Sequence, residues 1–338
     1  MPAHVEEMLE AMQKPGTYDE RVDAISMVQT HISWVFLIGK FAYKIKKPVN
    51  FGFLDFTTLD NRKKFCDLEM RINSMFSPDI YLGVVPLKKS GNNLKFSGIG
   101  ETIEYAIKMR QLPQEGLMNR LLDQNEIKTD IIDKIVAKLA DFYSKTQTYT
   151  KKDAIGSLDT VAFNWKENFD QTLPFVGKTL SQETFDSIKQ KVEAFMADNE
   201  RLFAHRVRNG NVKWCHGDLH SGNIFVINGD VYIFDAIEFN ERFACSDVAS
   251  DIAFLCMDLD FRHRSYLSDY FVKKYIEESG DSEMLRLLDF YKCYRAYVRG
   301  KVIGFRLNDP HIPEKEKQEA AGTARLYFQL ALQYAKNF

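Results

Sequence analysis

Four side chains of a single short stretch, His216, Asp218, Asn223 and Asp235, are of the types that move a phosphoryl group. The loop Trp214-Cys215-His216-Gly217-Asp218-Leu219-His220-Ser221-Gly222-Asn223 runs into the apolar Ile224-Phe225-Val226. Asn228-Gly229-Asp230 then reads as a hairpin turn, and Val231-Tyr232-Ile233-Phe234 ends on Asp235. The pattern predicts strand, loop, strand, turn, strand and a final carboxylate. Phosphoryl transfer asks a protein for positioning and charge neutralisation more than for covalent work. Asp218 is the candidate to accept the proton of an attacking hydroxyl. Asn223 and Asp235 supply the hard oxygens that Mg2+ prefers, and that ion usually completes its octahedron with phosphate and water.

Two other readings use the same letters. Asp and Asn in a hairpin loop can simply cap backbone groups. Cys215, His216, Asp218 and His220 are possible zinc ligands, and His216 and His220 have the i, i+4 spacing of helical zinc sites. That spacing needs a helix, which Gly217 and Gly222 disfavour.

Other elements must position this loop. Residues 4–13 have the spacing of a short helix closed by Pro15-Gly16, and residues 19–29 are expected to form another. His31–Ile38, the turn Gly39-Lys40 and Phe41–Lys47 predict a β-hairpin that puts Ala42, Lys44 and Lys46 on one face and Tyr43 and Ile45 on the other. Asn61–Phe76 reads as a helix with Glu69 among Phe65, Ile72 and Phe76. A carboxylate on an inward stripe needs a partner, because an unpaired buried charge is costly. Lys44 is the expected partner, and Lys46 on the same strand face is the alternative.

Strands at Tyr81–Leu87, Leu94–Phe96 and Ile103–Met109 follow, and Met109-Arg110-Gln111-Leu112-Pro113 leaves the sheet. Beyond residue 126 the pattern is helical: Ile131, Ile135, Leu139 and Phe142 mark one face, and residues 160–205 hold two or three helices broken at Leu173-Pro174. After the central hairpin, further helices are expected over Asp247–Leu259 and near 283–307 and 313–336.

Composition narrows the class. The 338 residues carry 45 basic and 47 acidic side chains, a net charge of −2, so no basic excess points to nucleic acid. No apolar run suits a bilayer span, and Met1–Glu10 does not resemble a signal peptide. Cys66, Cys215, Cys245, Cys256 and Cys293 are scattered without a Cys-x-x-Cys pair and read as reduced thiols. A soluble, cytoplasmic protein that makes no membrane contact is the expectation.

His216-Gly217-Asp218-Leu219-His220-Ser221-Gly222-Asn223, Ile233-Phe234-Asp235 and Asp247-Val248-Ala249-Ser250-Asp251-Ile252-Ala253 together resemble the aminoglycoside phosphotransferase and choline kinase-like family. Wording around Tyr43–Phe51 and Ile237–Asn240 resembles a bacterial subgroup, some of whose members continue into a P-loop ATPase domain. The resemblance implies an α+β, bilobal protein-kinase-like fold. A small antiparallel-sheet, nucleotide-binding lobe would span residues 1–112, and a larger, mainly helical catalytic and substrate-binding lobe residues 113–338. It implies ATP and Mg2+ as cofactors and a small hydroxyl-bearing molecule as acceptor. Asp218 would be the base, His216 a brace of its loop, Asn223 and Asp235 metal ligands, and Asp251 (or Asp247) a tie to the loop backbone. Lys44 with Glu69 would meet phosphate, and backbone near Met109 and Arg110 would meet adenine.

The chain also departs from the kinase pattern. No Gly-x-Gly-x-x-Gly loop appears in the first hairpin, so backbone around Thr30-His31-Ile32-Ser33 is expected to meet phosphate instead. Gly217 stands where protein kinases carry Arg, and Ala236-Ile237 follow Asp235 in place of Phe-Gly, which argues against a regulated protein kinase. The alternatives are a non-catalytic nucleotide-binding module and, behind it, a protein Ser/Thr kinase. An acidic wall of Glu238, Asp258 and Asp260 would suit a cationic acceptor. The series Arg295, Arg299 and Arg306 would suit an anionic one, or be a solvated helix face.

Overall fold

The structure, a computed structural model, describes residues 3–150 and 155–338. The chain divides into two compact units. The first comprises Met1–Leu117, Phe225–Ile227 and Tyr232–Asn240; the second comprises Met118–Ile224, Asn228–Val231 and Glu241–Phe338.

The first unit is built on a six-stranded antiparallel sheet in the order β1-β2-β3-β6-β4-β5. The strands are β1 (Ser26–Gln29), β2 (Ser33–Ile38), β3 (Phe41–Lys46), β4 (Tyr81–Ser90), β5 (Asn93–Lys95) and β6 (Glu101–Arg110). Helix α1 (Ala3–Met12) precedes the sheet, and α2 (Leu59–Phe76) links β3 to β4. Strand β3 alternates as expected. Tyr43 and Ile45 join Met8, Met12, Trp34, Phe36 and Phe96 in one core, whereas Lys44 and Lys46 both reach Glu69 of α2. Helix α2 starts where the Thr58 side chain accepts the Asn61 amide, and it buries Arg62, Cys66, Glu69, Ile72, Asn73 and Phe76.

One expectation fails here. Residues 19–29 contain no helix but end in β1, which pairs antiparallel with β2 from Ser26↔Leu37 to Gln29↔Trp34. All four β1 residues are exposed. An edge strand held by backbone pairing need show no buried face, so periodicity carried no signal for it.

The second unit is mainly helical: α3 (Met118–Asp123), α4 (Thr129–Lys145), α5 (Leu158–Thr172), α6 (Gln182–Asp198) and α7 (Glu200–Arg208) precede the loop. Strand β7 (Val212–Trp214) leads into it, and the chain leaves through the hairpin β8 (Ile224–Ile227) and β9 (Asp230–Ile233), of which Phe225–Ile227 and Tyr232–Ile233 belong to the first unit. Asn228 (φ 52°) and Gly229 (φ 79°) form the hairpin turn, the left-handed pair that matches strand twist. After α8 (Glu241–Ala244), β10 (Cys245–Asp247) pairs with β7. Helices α9 (Val248–Phe261), α10 (Ser265–Ser279), α11 (Leu285–Gly304) and α12 (Glu314–Ala335) complete the unit; α10 was not anticipated. Among the described residues no helix is long and apolar enough to cross a membrane.

Candidate active site

In the first unit the strand-borne charges form one connected group. Lys44 Nζ donates to Glu69 Oε1 at 2.7 Å and to Asp235 Oδ1 at 2.6 Å. Lys46 Nζ donates to Glu69 Oε2 at 2.6 Å and to Glu238 Oε1 at 2.5 Å. Each oxygen of Glu69 thus takes a different lysine, and the choice between Lys44 and Lys46 dissolves. Lys44 bridges to the half-exposed Asp235, while Lys46 is sealed inside with Glu238. Burial alone would raise Glu69, but Lys44 and Lys46 outweigh it and hold the carboxyl below its ordinary range. Glu238 moves the other way, because burial and the nearby Glu69 charge exceed the help from Lys46.

Asp235 sits just past the end of β9 with φ 64°, a left-handed backbone that non-glycine residues seldom adopt. Its amide donates to Tyr81 Oη at 3.2 Å, and the next amide, Ala236, donates to Asn73 Oδ1 at 2.8 Å. Those two bonds hold the unusual conformation and aim the carboxylate at Lys44. Met109 packs against the buried cluster of Cys66, Ile80, Tyr81 and Ile107. The Arg110 amide donates to Ile80 O and the Gln111 amide to Lys40 O, so both donors are already engaged. The turn at Thr30–Ser33 is likewise occupied by itself. Thr30 Oγ1 accepts from Ile32 N and Ser33 N, and Thr30 N donates to Ser33 O. Three of the four amides expected to meet phosphate therefore already hold the turn.

The second unit carries the loop, and here charges grip backbone. Asp251 Oδ2 accepts the His216 amide at 2.7 Å and Oδ1 accepts the Gly217 amide at 2.9 Å. Tyr143 Oη completes this buried carboxylate at 2.7 Å. From helix α11, Arg295 Nη1 donates to Gly217 O at 2.8 Å and Nε to Ser250 O at 3.1 Å. Gly217 has φ 81°, which explains glycine at this position. Asp258 Oδ2 accepts the Ser221 amide at 2.8 Å. Asp247 caps α9 through the Ala249 amide and meets Arg206 at 2.7 Å, so it anchors the helix and leaves the loop tie to Asp251.

On that frame Asn223 Nδ2 donates to Asp218 O at 2.9 Å and to Asp218 Oδ2 at 3.0 Å. With its nitrogen engaged on Asp218, Asn223 keeps its amide oxygen, an oxygen donor of the kind Mg2+ takes. Residues 216–220 are not helical, so His216 and His220 do not share the helix face a zinc pair would use. His216 is buried, and its Nδ1 accepts the Asp218 amide at 3.3 Å.

His220 is the residue that sequence reasoning missed as a neighbour of Asp218. Its Nδ1 accepts the Gly222 amide at 3.0 Å, which leaves Nε2 to face Asp218 Oδ2 at 3.4 Å. A β-carbon on Gly222 would approach the His220 ring to 2.8 Å, so glycine makes room for it. Burial would raise Asp218, yet His220, Arg299 and His216 outweigh it and hold the carboxyl well below its ordinary range.

These features define a kinase-like protein with a lysine–carboxylate sheet unit and a helical unit bearing the Asp–Asn loop. The model of the phosphotransferase enzyme family matches residues 109–288, more than half of the chain. The chain belongs to that family. It is 32% identical over 313 residues to uncharacterized proteins of Mycobacterium tuberculosis and Mycobacterium bovis. The match covers 93% of this chain and 60% of those relatives' length. Among solved structures, the GDP complex of wild-type aminoglycoside 2'-phosphotransferase-IIIa superposes with a TM-score of 0.57 at 13% identity, over 100% of both chains. A choline/ethanolamine kinase family protein from Mesorhizobium loti gives 0.56 at 10% identity over 99% of both. A glucosamine kinase gives 0.51 at 13% identity, over 95% of this chain and 84% of its own. These identities speak for a shared fold.

Proposed function

We propose that the protein transfers the γ-phosphoryl group of ATP to a hydroxyl of a small molecule. The observation that carries this reading is the Lys44 bridge, in which one ammonium gathers Glu69 and Asp235 from segments 25 and 191 residues away. The structural relatives add support: three are complexes with GDP, one of them also with kanamycin. In this reading the first unit binds nucleotide, with Lys44 on phosphate and the backbone around Met109 and Arg110 against adenine. The second unit supplies the base and the acceptor pocket. Asn223 and Asp235 would hold Mg2+, which when bound neutralises charge on the phosphates.

Asp218 orients the acceptor hydroxyl. The acceptor oxygen forms a bond to the γ-phosphorus as the bond to the β,γ-bridging oxygen of ATP breaks, the proton passes to Asp218, and ADP leaves. A carboxylate held so far below its ordinary range is a weak base. It therefore accepts a hydrogen bond first and the proton only late, as suits a loose phosphoryl-transfer transition state. The test is ATP consumption by purified protein over a library of hydroxyl metabolites. Asp218→Asn should lower kcat by about 10²–10⁴-fold and leave Mg-ATP affinity, by calorimetry, unchanged. Equal turnover in the variant would remove Asp218 from the role. Mg-ATP binding without any phosphorylated product would favour the non-catalytic module.

A further inference from the structure

Arg299 is close enough to Asp218 for its charge to act on that carboxylate. The carboxylates that could have formed an acidic wall are taken up. Asp258 holds the Ser221 amide and Arg262. Asp260 holds Lys292 at 3.0 Å and Tyr334 at 2.6 Å, and Glu238 is buried on Lys46. Of the arginine series on α11 and just beyond it, Arg295 is buried on the loop backbone and Arg306 pairs with Glu316 at 3.1 Å.

Arg299 differs from both. It lies one helical turn beyond Arg295, on the same face of α11, and Arg295 is tied to Gly217, the residue before Asp218. Arg299 is half-buried and is in no salt bridge among the described residues; its charge acts on Asp218, and its side chain hydrogen-bonds Tyr327. Its guanidinium lies 5.9 Å from the Tyr327 ring, and Tyr327 stacks on Phe261 with centroids 3.8 Å apart. A guanidinium steadied by an aromatic face is oriented before it meets a ligand, so less entropy is lost when it binds an anion in a two-pronged contact.

We propose that Arg299 receives an anionic group, a carboxylate or phosphate, of the acceptor, so that the substrate class is hydroxyl-bearing acids and not amino sugars. The inference rests on the phosphotransferase reading. It makes Arg299 a substrate-binding residue, and Asp218 keeps its role toward the hydroxyl.

The test uses the full chain with Mg-ATP and acceptors matched in carbon skeleton: glucose, glucosamine, gluconate and glucose 6-phosphate, and the corresponding glycerol series of glycerol, glycerate and glycerol 3-phosphate, followed by a wider metabolite set sorted by charge. Turnover is expected with acidic members. Arg299→Gln should raise the KM of the acidic acceptor at least 10-fold, a larger factor than any change in kcat, and leave the KM of ATP unchanged. Arg299→Lys should recover part of the loss, which a merely structural role would not predict. Arg306→Gln, on the exposed Glu316 pair, should change none of these. Turnover confined to neutral or cationic acceptors, or an unchanged acceptor KM in Arg299→Gln, overturns the anionic class and leaves the phosphotransferase reading standing. No phosphorylated product from any acceptor overturns both.

Discussion

At the candidate site the two units hold charge in opposite ways. In the first, charge meets charge: Lys44, Lys46, Glu69, Glu238 and Asp235 form a chain of ion pairs between a strand, a helix and the segment after β9. In the second, charge meets backbone: Asp251, Asp258 and Arg295 hold the amides of His216, Gly217 and Ser221 and the carbonyl of Gly217. An ion-pair chain fixes the position of its charges, and it depends on its members being ionised. A backbone clamp fixes the path of a loop, and it depends on acceptor geometry. Charge deletions should therefore be felt mainly as lost stability in the first unit and as lost turnover in the second.

Glu69→Gln is the strongest way to break that contrast. It leaves two buried lysines short of a counter-charge, and breaking a buried pair from one side costs roughly 3–5 kcal/mol. Chemical denaturation should show a loss of that size, and a loss below about 1 kcal/mol would mean that the lysines are solvated. Asp251→Asn is the sharper test of the clamp. One carboxylate oxygen becomes an amide nitrogen that cannot accept from the loop, at a cost of about 1.5–3 kcal/mol for a hydrogen bond to a charged group. Turnover should fall at least 10-fold while Mg-ATP affinity holds; unchanged kcat would show that the loop keeps its path without Asp251.

The smallest expected effect is on pH dependence. Lys301 in α11 is buried and donates to the neutral Asn168 at 2.6 Å and Gln171 at 2.7 Å. Burial lowers it to about 8 from 10.5, helped by the charge of Arg242 and opposed by Glu167. Between these values the unfolded chain binds the proton that the folded chain has released, so stability from this group rises with pH. It is fully present above about 10.5 and lost as pH falls through about 8. Relative to Lys301→Met, the wild type should gain thermal stability on going from neutral pH to about 10. A difference that stays flat or runs the other way would mean that Lys301 remains ionised in the folded state.

Local pattern carried much of the fold. The Asn228-Gly229 turn, the period-two alternation of Tyr43, Lys44, Ile45 and Lys46, and the helical face of Glu69, Ile72 and Phe76 are all short-range signals. What escaped was set by pairing or by distance. Strand β1 has no buried face to advertise it. Arg295 reaches a carbonyl 78 residues away, and a side chain that binds backbone leaves no trace in the identity of its partner. His220 read as a possible metal ligand until the Gly222 amide at Nδ1 turned Nε2 toward Asp218.

By itself the sequence determined the chemistry on offer: a loop carboxylate, two further oxygen-bearing side chains, a strand lysine and a helix glutamate, with Gly217 in place of an arginine. Those follow from residue type and short spacing, which act before any long-range contact forms. Only the tertiary structure decided which charges remain for a ligand. Both lysines converge on Glu69, the carboxylates that could have faced a cationic acceptor are held by amides, arginine and lysine, and Arg299 is in no salt bridge among the described residues. Neutralisation is a matter of distances between residues far apart in the chain, so composition and spacing do not report it.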